Sequence, residues 1–233
     1  MKHALSSLSL LLLLSACSVL KPVKETAVRH LLDPLIADRT LTNTTPAIAI
    51  NRPSIPTYLD RMQLITRSDG QLMMSHHDLW AEPLDSGVSR VMASNLSRLT
   101  GSMNIQPVEN YATLDYTLLL ELKISQFEPD AEGHMILQGT YKLQPVTGKE
   151  TSPHFFRFDV PISATPATMT DRVAAMNQAL ERLAREVFAK LAMTEALLTE
   201  GRERPAGRLK ITTTTGFGGS WLAPRLHRFL EMY

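Results

Sequence analysis

Apolar residues recur at spacings of three and four in two segments of the chain, which is typical of helices with one buried face. The first helix is expected to have Asp85 or Ser86 as N-cap and to end at Gly101, with residues 76–82 leading into it. The second is long and has Thr170 as its expected N-cap. Its apolar stripe consists of Val173, Met176, Leu180, Leu183, Val187 and Leu191. We interpret this stripe as core packing, and a partner helix or a homo-oligomer interface is the alternative.

Residues 114–127, 135–143 and 154–162 alternate apolar and polar side chains with a period of two, as strands with one buried face do. Turn-forming residues at 130–133 and 147–149 separate these segments. Strands that follow one another through short turns pair with antiparallel neighbours. The pattern therefore predicts a three-stranded antiparallel meander.

Four shorter apolar segments precede the meander, at 27–32, 47–50, 62–67 and 72–75. The last two flank the pair Asp69-Gly70, which is typical of a hairpin turn because both residue types tolerate positive φ angles. Together these elements predict an α+β fold. Its antiparallel sheet would contain the meander and the N-terminal strands, packed with the two main amphipathic helices.

The beginning of the chain has the organisation of a bacterial export signal. Lys2 is followed by an apolar run at 4–14 and by the small residues Ser15 and Ala16, which directly precede Cys17. The run is shorter than the roughly 20 residues that a membrane-spanning helix needs. Cys17 is the only cysteine of the chain, so it has no partner for an intramolecular disulfide.

This arrangement predicts a lipoprotein signal peptide at 1–16, cleaved before Cys17, with the Cys17 thiol acylated. The alternative is an ordinary secretory signal with a cysteine near its end by chance. Ser18 rather than aspartate follows Cys17, which under the usual sorting convention of enteric-type lipoproteins indicates the outer membrane, facing the periplasm. Residues 17–26 would form the lipidated tether.

The charge balance argues against one class of partner. Without Lys2, the mature chain keeps one basic residue fewer than the 24 of the full sequence, against 23 acidic residues, and is neutral. Nucleic-acid binding normally requires clustered Lys and Arg, so it is not expected. The length suits one domain at 27–199, followed by an extension at 200–233.

Two motifs make the chain recognisable. Residues 56–67 form the first motif, which contains the run Tyr58-Leu59-Asp60-Arg61, and residues 79–84 form the second. Both resemble the pattern of the ABC-type transport auxiliary lipoproteins, a family that includes PqiC-like proteins. Leu79 is a departure, since many relatives carry a basic residue there. The motif residues are Pro56, Tyr58, Leu59, Asp60, Arg61, Gln63, Arg67, Trp80, Ala81, Glu82 and Pro83.

The resemblance implies an accessory subunit of a lipid transport system rather than an enzyme. Its expected partners are a PqiB-like protein with MCE domains, which forms a periplasmic tunnel, and the membrane subunit of the same system. The protein would dock this tunnel to the outer membrane, and it could do so as a homo-oligomeric ring. A lipoprotein adaptor of another envelope complex is the alternative, and a periplasmic hydrolase is a more distant one.

The motif residues have two interpretations. Tyr58, Leu59 and Trp80 are large side chains, which more often fill a core than contact a partner. Arg61, Arg67 and Glu82 are the candidates for partner contact. The resemblance does not locate the contact surface.

The histidines do not indicate a metal or catalytic site. His76 and His77 are adjacent, so in a strand they would point to opposite faces. His134, His154 and His227 are expected to be solvated or hydrogen-bonded, because a metal site needs several convergent ligands. The sequence also lacks a Gly-x-Ser-x-Gly motif. We therefore predict no catalytic residue, no metal and no cofactor.

The extension contains a glycine-rich segment, residues 216–220, that lacks the lysine of a phosphate-binding loop. A short amphipathic helix is expected after it, with Ser220 as N-cap. This helix could lie on a membrane surface, bind the MCE partner or pack on the domain. Its apolar side consists of Leu222, Leu226, Phe229, Leu230 and Tyr233.

Overall fold

The computed structural model of the protein describes residues 26–43, 46–68, 70–110, 116–147 and 151–203. The predicted signal peptide, Cys17 and the tether up to residue 25 lie outside the described residues. So do residues 111–115, part of the predicted turn at 147–149, and the extension from residue 204 onward.

Within these ranges the chain forms eight strands and two α-helices, with a 3-10 turn at Val108–Asn110. In chain order they are β1 (Val28–His30), β2 (Ile48–Ile50), β3 (Gln63–Ser68), β4 (Gln71–Trp80), α1 (Leu84–Thr100), β5 (Ile105–Pro107), β6 (Leu118–Pro129), β7 (His134–Pro145), β8 (His154–Pro161) and α2 (Met169–Glu203). The predicted α+β class is confirmed.

The strands form two mixed sheets rather than the purely antiparallel sheet that we expected. The small sheet has the order β1-β4-β3, and the large sheet has the order β5-β2-β6-β7-β8. The meander β6-β7-β8 and the hairpin β3-β4 are antiparallel, as predicted. β1, however, is parallel to β4, and β2 is parallel to both β5 and β6. Turn geometry does not constrain β1 and β2, because long connections join them to their partners.

The helices pack against each other and cover the large sheet. α1 contacts β2 and β5, and α2 contacts β7 and β8. Every residue of the predicted α2 stripe is buried, which confirms its interpretation as core packing. None of the helices among the described residues is both long enough and apolar enough to span a bilayer.

The helix termini differ in detail from the prediction. Gly101 ends α1 as expected, with φ +80° and its N–H donating to the Ser97 carbonyl. The start of α1 was predicted wrongly, because Pro83 occupies the N-cap and Asp85 lies in the first turn. In the first turn, the negative charge of Asp85 complements the helix dipole. The segment 76–80, predicted as a connection, belongs to β4, where β1 pairs with its last residues.

The N-cap of α2 was also predicted wrongly, since Thr168 rather than Thr170 occupies this place. The Thr168 hydroxyl accepts the Asp171 N–H at 3.2 Å, and the Asp171 carboxylate accepts the Thr168 N–H at 2.9 Å. This exchange is a capping box, with an acidic residue three positions after the threonine.

A β-bulge in β6 changes which residues face the helices. Before it, Leu120, Leu122 and Ile124 are buried; after it, the same face continues with Phe127. Gly139 lies opposite the bulge, and a Cβ atom there would lie 2.1 Å from the Lys123 carbonyl oxygen. The bulge therefore requires glycine at 139 and moves Glu128 to the other face of the sheet.

Candidate functional site

The first motif forms a tight turn before β3. The Leu59 N–H donates to the Pro56 carbonyl, and the Arg61 N–H donates to the Leu59 carbonyl, both at 2.9 Å. Leu59 is buried in the core and Tyr58 is half-buried. Asp60 and Arg61 are exposed. The turn therefore separates the motif into an inward and an outward part.

The second motif lies beside the first. The Trp80 N–H donates to the Met62 carbonyl at 2.6 Å, and the Trp80 ring is buried in the core. The Ala81 N–H donates to the His30 carbonyl of β1 at 2.9 Å. The two motifs and β1 thus form one structural unit in the small sheet.

A buried carboxylate joins this unit to the large sheet. Glu128 in β6 is completely buried, and its Oε1 accepts hydrogen bonds from Arg67 Nε at 3.0 Å and Nη2 at 2.9 Å. Its Oε2 accepts the Tyr58 hydroxyl at 3.0 Å and the Phe127 N–H at 2.9 Å. We call Tyr58, Arg67 and Glu128 the Glu128 cluster. Because the charge of Glu128 is paired and both oxygens are hydrogen-bonded, its burial is compensated.

The cluster changes the titration of its phenol. Burial and the adjacent negative charge of Glu128 raise the pKa of Tyr58 to about 12. The Arg67 guanidinium lies 5.8 Å from the centre of the Tyr58 ring, at cation–π distance. Each member of the cluster thus contacts the other two, which fixes the position of the first motif on β6.

The second motif has its own ion pair. Glu82 accepts Arg90 Nε at 3.0 Å, and Arg90 Nη2 also donates to the Leu32 carbonyl at 2.7 Å. Gly87 leaves room for this pair, since a Cβ atom there would lie 3.1 Å from the Glu82 carboxylate. The pair connects the second motif to α1 and to the chain after β1.

The motif residues therefore divide by exposure. Tyr58, Leu59 and Trp80 pack inward, while Arg67 and Glu82 form ion pairs, and Pro56 is half-buried. The exposed members are Asp60, Arg61, Gln63, Ala81 and Pro83. These five side chains form the solvent-exposed surface of the two motifs.

Sequence reasoning did not identify Glu128. The only signal for it is a carboxylate between Phe127 and Pro129 in an otherwise apolar end of a strand. It also missed a network at the end of β1. There His30 Nε2 lies 2.8 Å from Asp78 Oδ1, and the Ser75 hydroxyl donates to Asp78 Oδ2 at 2.8 Å. The hydrogen bond to His30 and that from Ser75 lower the pKa of Asp78.

His134 has acidic neighbours that sequence reasoning overlooked, although Asp130 precedes it by four positions. His134 Nδ1 lies 3.8 Å from Asp130 Oδ2 across the β6–β7 turn. With Glu132, these residues place one ligand atom each within 4.8 Å of one another. Asp130 Oδ1 already accepts the backbone N–H groups of Glu132 and His134, so the cluster serves the turn.

Comparison with known proteins connects this geometry to a family. The family model described as ABC-type transport auxiliary lipoprotein component matches residues 30–188. Protein XCC0632 from Xanthomonas campestris, of family DUF330, has a similar structure with a TM-score of 0.61 and 15% identity, covering 75% of this chain and 99% of its own. A crystal structure of an uncharacterized protein gives a TM-score of 0.58 at 18% identity. The match covers 72% of this chain and 99% of the chain in that structure. These likenesses concern the fold alone. No curated protein matches this chain.

Proposed function

The chain belongs to the family of ABC-type transport auxiliary lipoproteins, and from this premise we propose that it is an outer-membrane-anchored accessory subunit of an MCE-type lipid transport system. The observation that carries the proposal is the family match, which spans both motifs, all of α1 and α2 as far as residue 188. In this role the protein holds the end of the periplasmic tunnel at the outer membrane. Its contribution is tethering and alignment, and it requires no reaction centre.

The anchor in this proposal is Cys17, acylated after removal of residues 1–16. Two or three acyl chains hold a protein on a bilayer essentially permanently, whereas one chain is marginal. Mass spectrometry of the mature N-terminus tests the modification, and density-gradient separation of the two membranes tests the outer-membrane location. A Cys17→Ala variant should lose both acylation and membrane association.

We infer that the MCE-domain partner binds the exposed part of the two motifs. Ala81 and Pro83 are exposed beside the buried Trp80, and the Glu82–Arg90 pair fixes their backbone to α1. A surface held in place in this way can be recognised without an ordering cost on binding. A homo-oligomeric arrangement would repeat this surface around an axis.

Co-purification from solubilised envelopes tests the partner. The wild-type lipoprotein should recover an MCE-domain protein and the membrane subunit of its transporter. Ala81→Arg should reduce the recovery, because it places a large charged side chain on the proposed contact. Ala189→Arg makes the same change at an exposed position of α2 and should leave recovery unchanged. Recovery of a different envelope complex without any MCE protein would favour the alternative, an adaptor of that complex.

A further inference from the structure

The hairpin β3-β4 exposes three consecutive apolar residues near its turn. Leu72 is 41% exposed, Met73 is 60% exposed and Met74 is 50% exposed. We call these three residues the hairpin patch. Leu72 and Met74 project from one face of β4 and Met73 from the other, so this end of the hairpin is apolar on both faces. Scattered single apolar residues on a surface need no explanation, but a strand end that is apolar on both faces indicates contact with something apolar.

The direction of the tether indicates what this surface contacts. β1 is parallel to β4, with Val28 beside Asp78, so the chain enters β1 from the side on which the hairpin turn lies. Gln63 of β3 pairs with Leu79, the residue after Asp78, and therefore lies almost level with Val28. From Gln63 to Ser68, next to the turn, β3 has five residue steps, which span about 17 Å. The tether thus leaves the described domain on the same side as the hairpin patch.

The length of the tether permits the contact. Eleven residue steps separate Cys17 from Val28, which corresponds to at most about 40 Å of extended chain. This length exceeds the 17 Å or so from β1 to the turn, so a lipid at Cys17 can be inserted in a bilayer while the hairpin patch touches the same bilayer. The tether is therefore long enough for an acylated Cys17 to keep this end of the hairpin close to the lipid.

The side chains around the patch suit the boundary between headgroups and acyl chains. Arg61 Nη1 lies 3.3 Å from Met74 Sδ and places a cation beside the patch, whereas Arg67, opposite Leu72, keeps its guanidinium on Glu128. Arginine places its apolar stem along such a surface and its charge at the phosphates.

From these observations we propose that the hairpin patch is a second membrane contact, which lies on the bilayer that holds the anchor. The occupant is the lipid surface itself. The proposal rests on the proposed acylation of Cys17, which brings this end of the domain to the membrane. Two contacts, the acyl chains and the hairpin patch, would fix the orientation of the domain as well as its distance from the bilayer.

Site-specific fluorescence tests the contact in the full lipoprotein. Met73→Cys is labelled with an environment-sensitive fluorophore and reconstituted in phosphatidylethanolamine and phosphatidylglycerol vesicles that contain brominated phosphatidylcholine. We expect the emission of the label at residue 73 to shift to the blue relative to that of an exposed control label. We also expect the brominated lipid to quench its intensity. Phe155→Cys is the matched control, because Phe155 is 65% exposed in β8. It should show neither effect.

Three results would overturn the proposal, and they differ. A second label on Cys17, detected by mass spectrometry, would refute the anchor and with it the membrane contact. A single label at residue 73 without blue shift or quenching would refute only the hairpin contact. A blue shift without quenching by brominated lipid would mean that protein, such as a second copy, covers the patch.

Discussion

Arg67 and Glu128 lie 61 residues apart in the sequence and form a two-point ion pair in which Arg67 Nε and Nη2 both donate to one oxygen of a completely buried carboxylate. Tyr58 binds the other oxygen, so the first motif is fixed to the large sheet through a single acidic side chain. The motif thus has a structural component that its sequence alone does not reveal.

Removing the arginine should therefore destabilise the domain. Arg67→Ala leaves the charge of Glu128 buried without its partner, and we expect the free energy of unfolding to fall by about 3 kcal/mol. Urea denaturation followed by circular dichroism measures this change. Arg61→Ala, in the exposed part of the same motif, should change stability by less than about 0.5 kcal/mol. Equal effects of the two substitutions would contradict a structural role for the Glu128 cluster.

The raised pKa of Tyr58 predicts a loss of stability in alkali. With a pKa of about 12 in the folded protein and about 10 when unfolded, the folded state holds the phenol proton more tightly. Stability should therefore fall as pH rises from 10 towards 12. Urea unfolding at several pH values between 9 and 11 measures the slope.

Tyr58→Phe should make this slope smaller. It should not abolish the slope, because burial and the nearby charge of Glu186 raise the pKa of Tyr141 to about 12 as well. An unchanged slope in Tyr58→Phe would show that the titration of Tyr58 does not contribute to the loss of stability in alkali.

Asp78 predicts a change at the acidic end of the range. Hydrogen bonds with His30 and from Ser75 lower its pKa below the ordinary 3.8, so the folded state favours the carboxylate. The stabilisation is present above pH 3.8 and is lost as pH falls through the lower pKa of the folded protein. Asp78→Asn should lose part of this acid dependence when urea midpoints are compared between pH 5 and pH 2.5. A variant with the wild-type acid profile would contradict the assignment.

Gly139 predicts a steric effect at the bulge. In Gly139→Ala the added Cβ would lie 2.1 Å from the Lys123 carbonyl oxygen, so the backbone of β6 must shift. We expect a loss of about 3 kcal/mol or more. Gly133→Ala is the matched control, since Gly133 has φ +85° but open space around its Cα. It should lose only about 1 kcal/mol through backbone strain. Similar losses would mean that the close approach is readily relieved.

Much of this fold follows from local pattern, and the rest depends on contacts that pattern does not encode. Periodicity was sufficient for α1, α2 and the meander, because long segments repeat their apolar residues many times. The parallel pairing of β1 and β2 was not predictable, since three-residue strands carry no information about their partners.

The same limit applies to the candidate site. Both motifs were recognised, but the position of Glu128 under Tyr58 depends on the bulge between Ile124 and Gln126. A strict alternation carried through β6 would have assigned Glu128 to the face of Ile124. Which motif residues contact a partner remains a prediction.

The pairing of β1 with β4 has a mechanical consequence. Under the proposed acylation of Cys17, tension on the lipid would pull β1 along its own axis, because the chain enters the strand at Val28 and β1 lies parallel to β4. The hydrogen bonds of the pair would then bear the load together in shear, and would not open one after another as in a peeled hairpin. The bond between His30 and Asp78 crosses the same pair. β1 would thus transmit the mechanical load between the membrane and the domain.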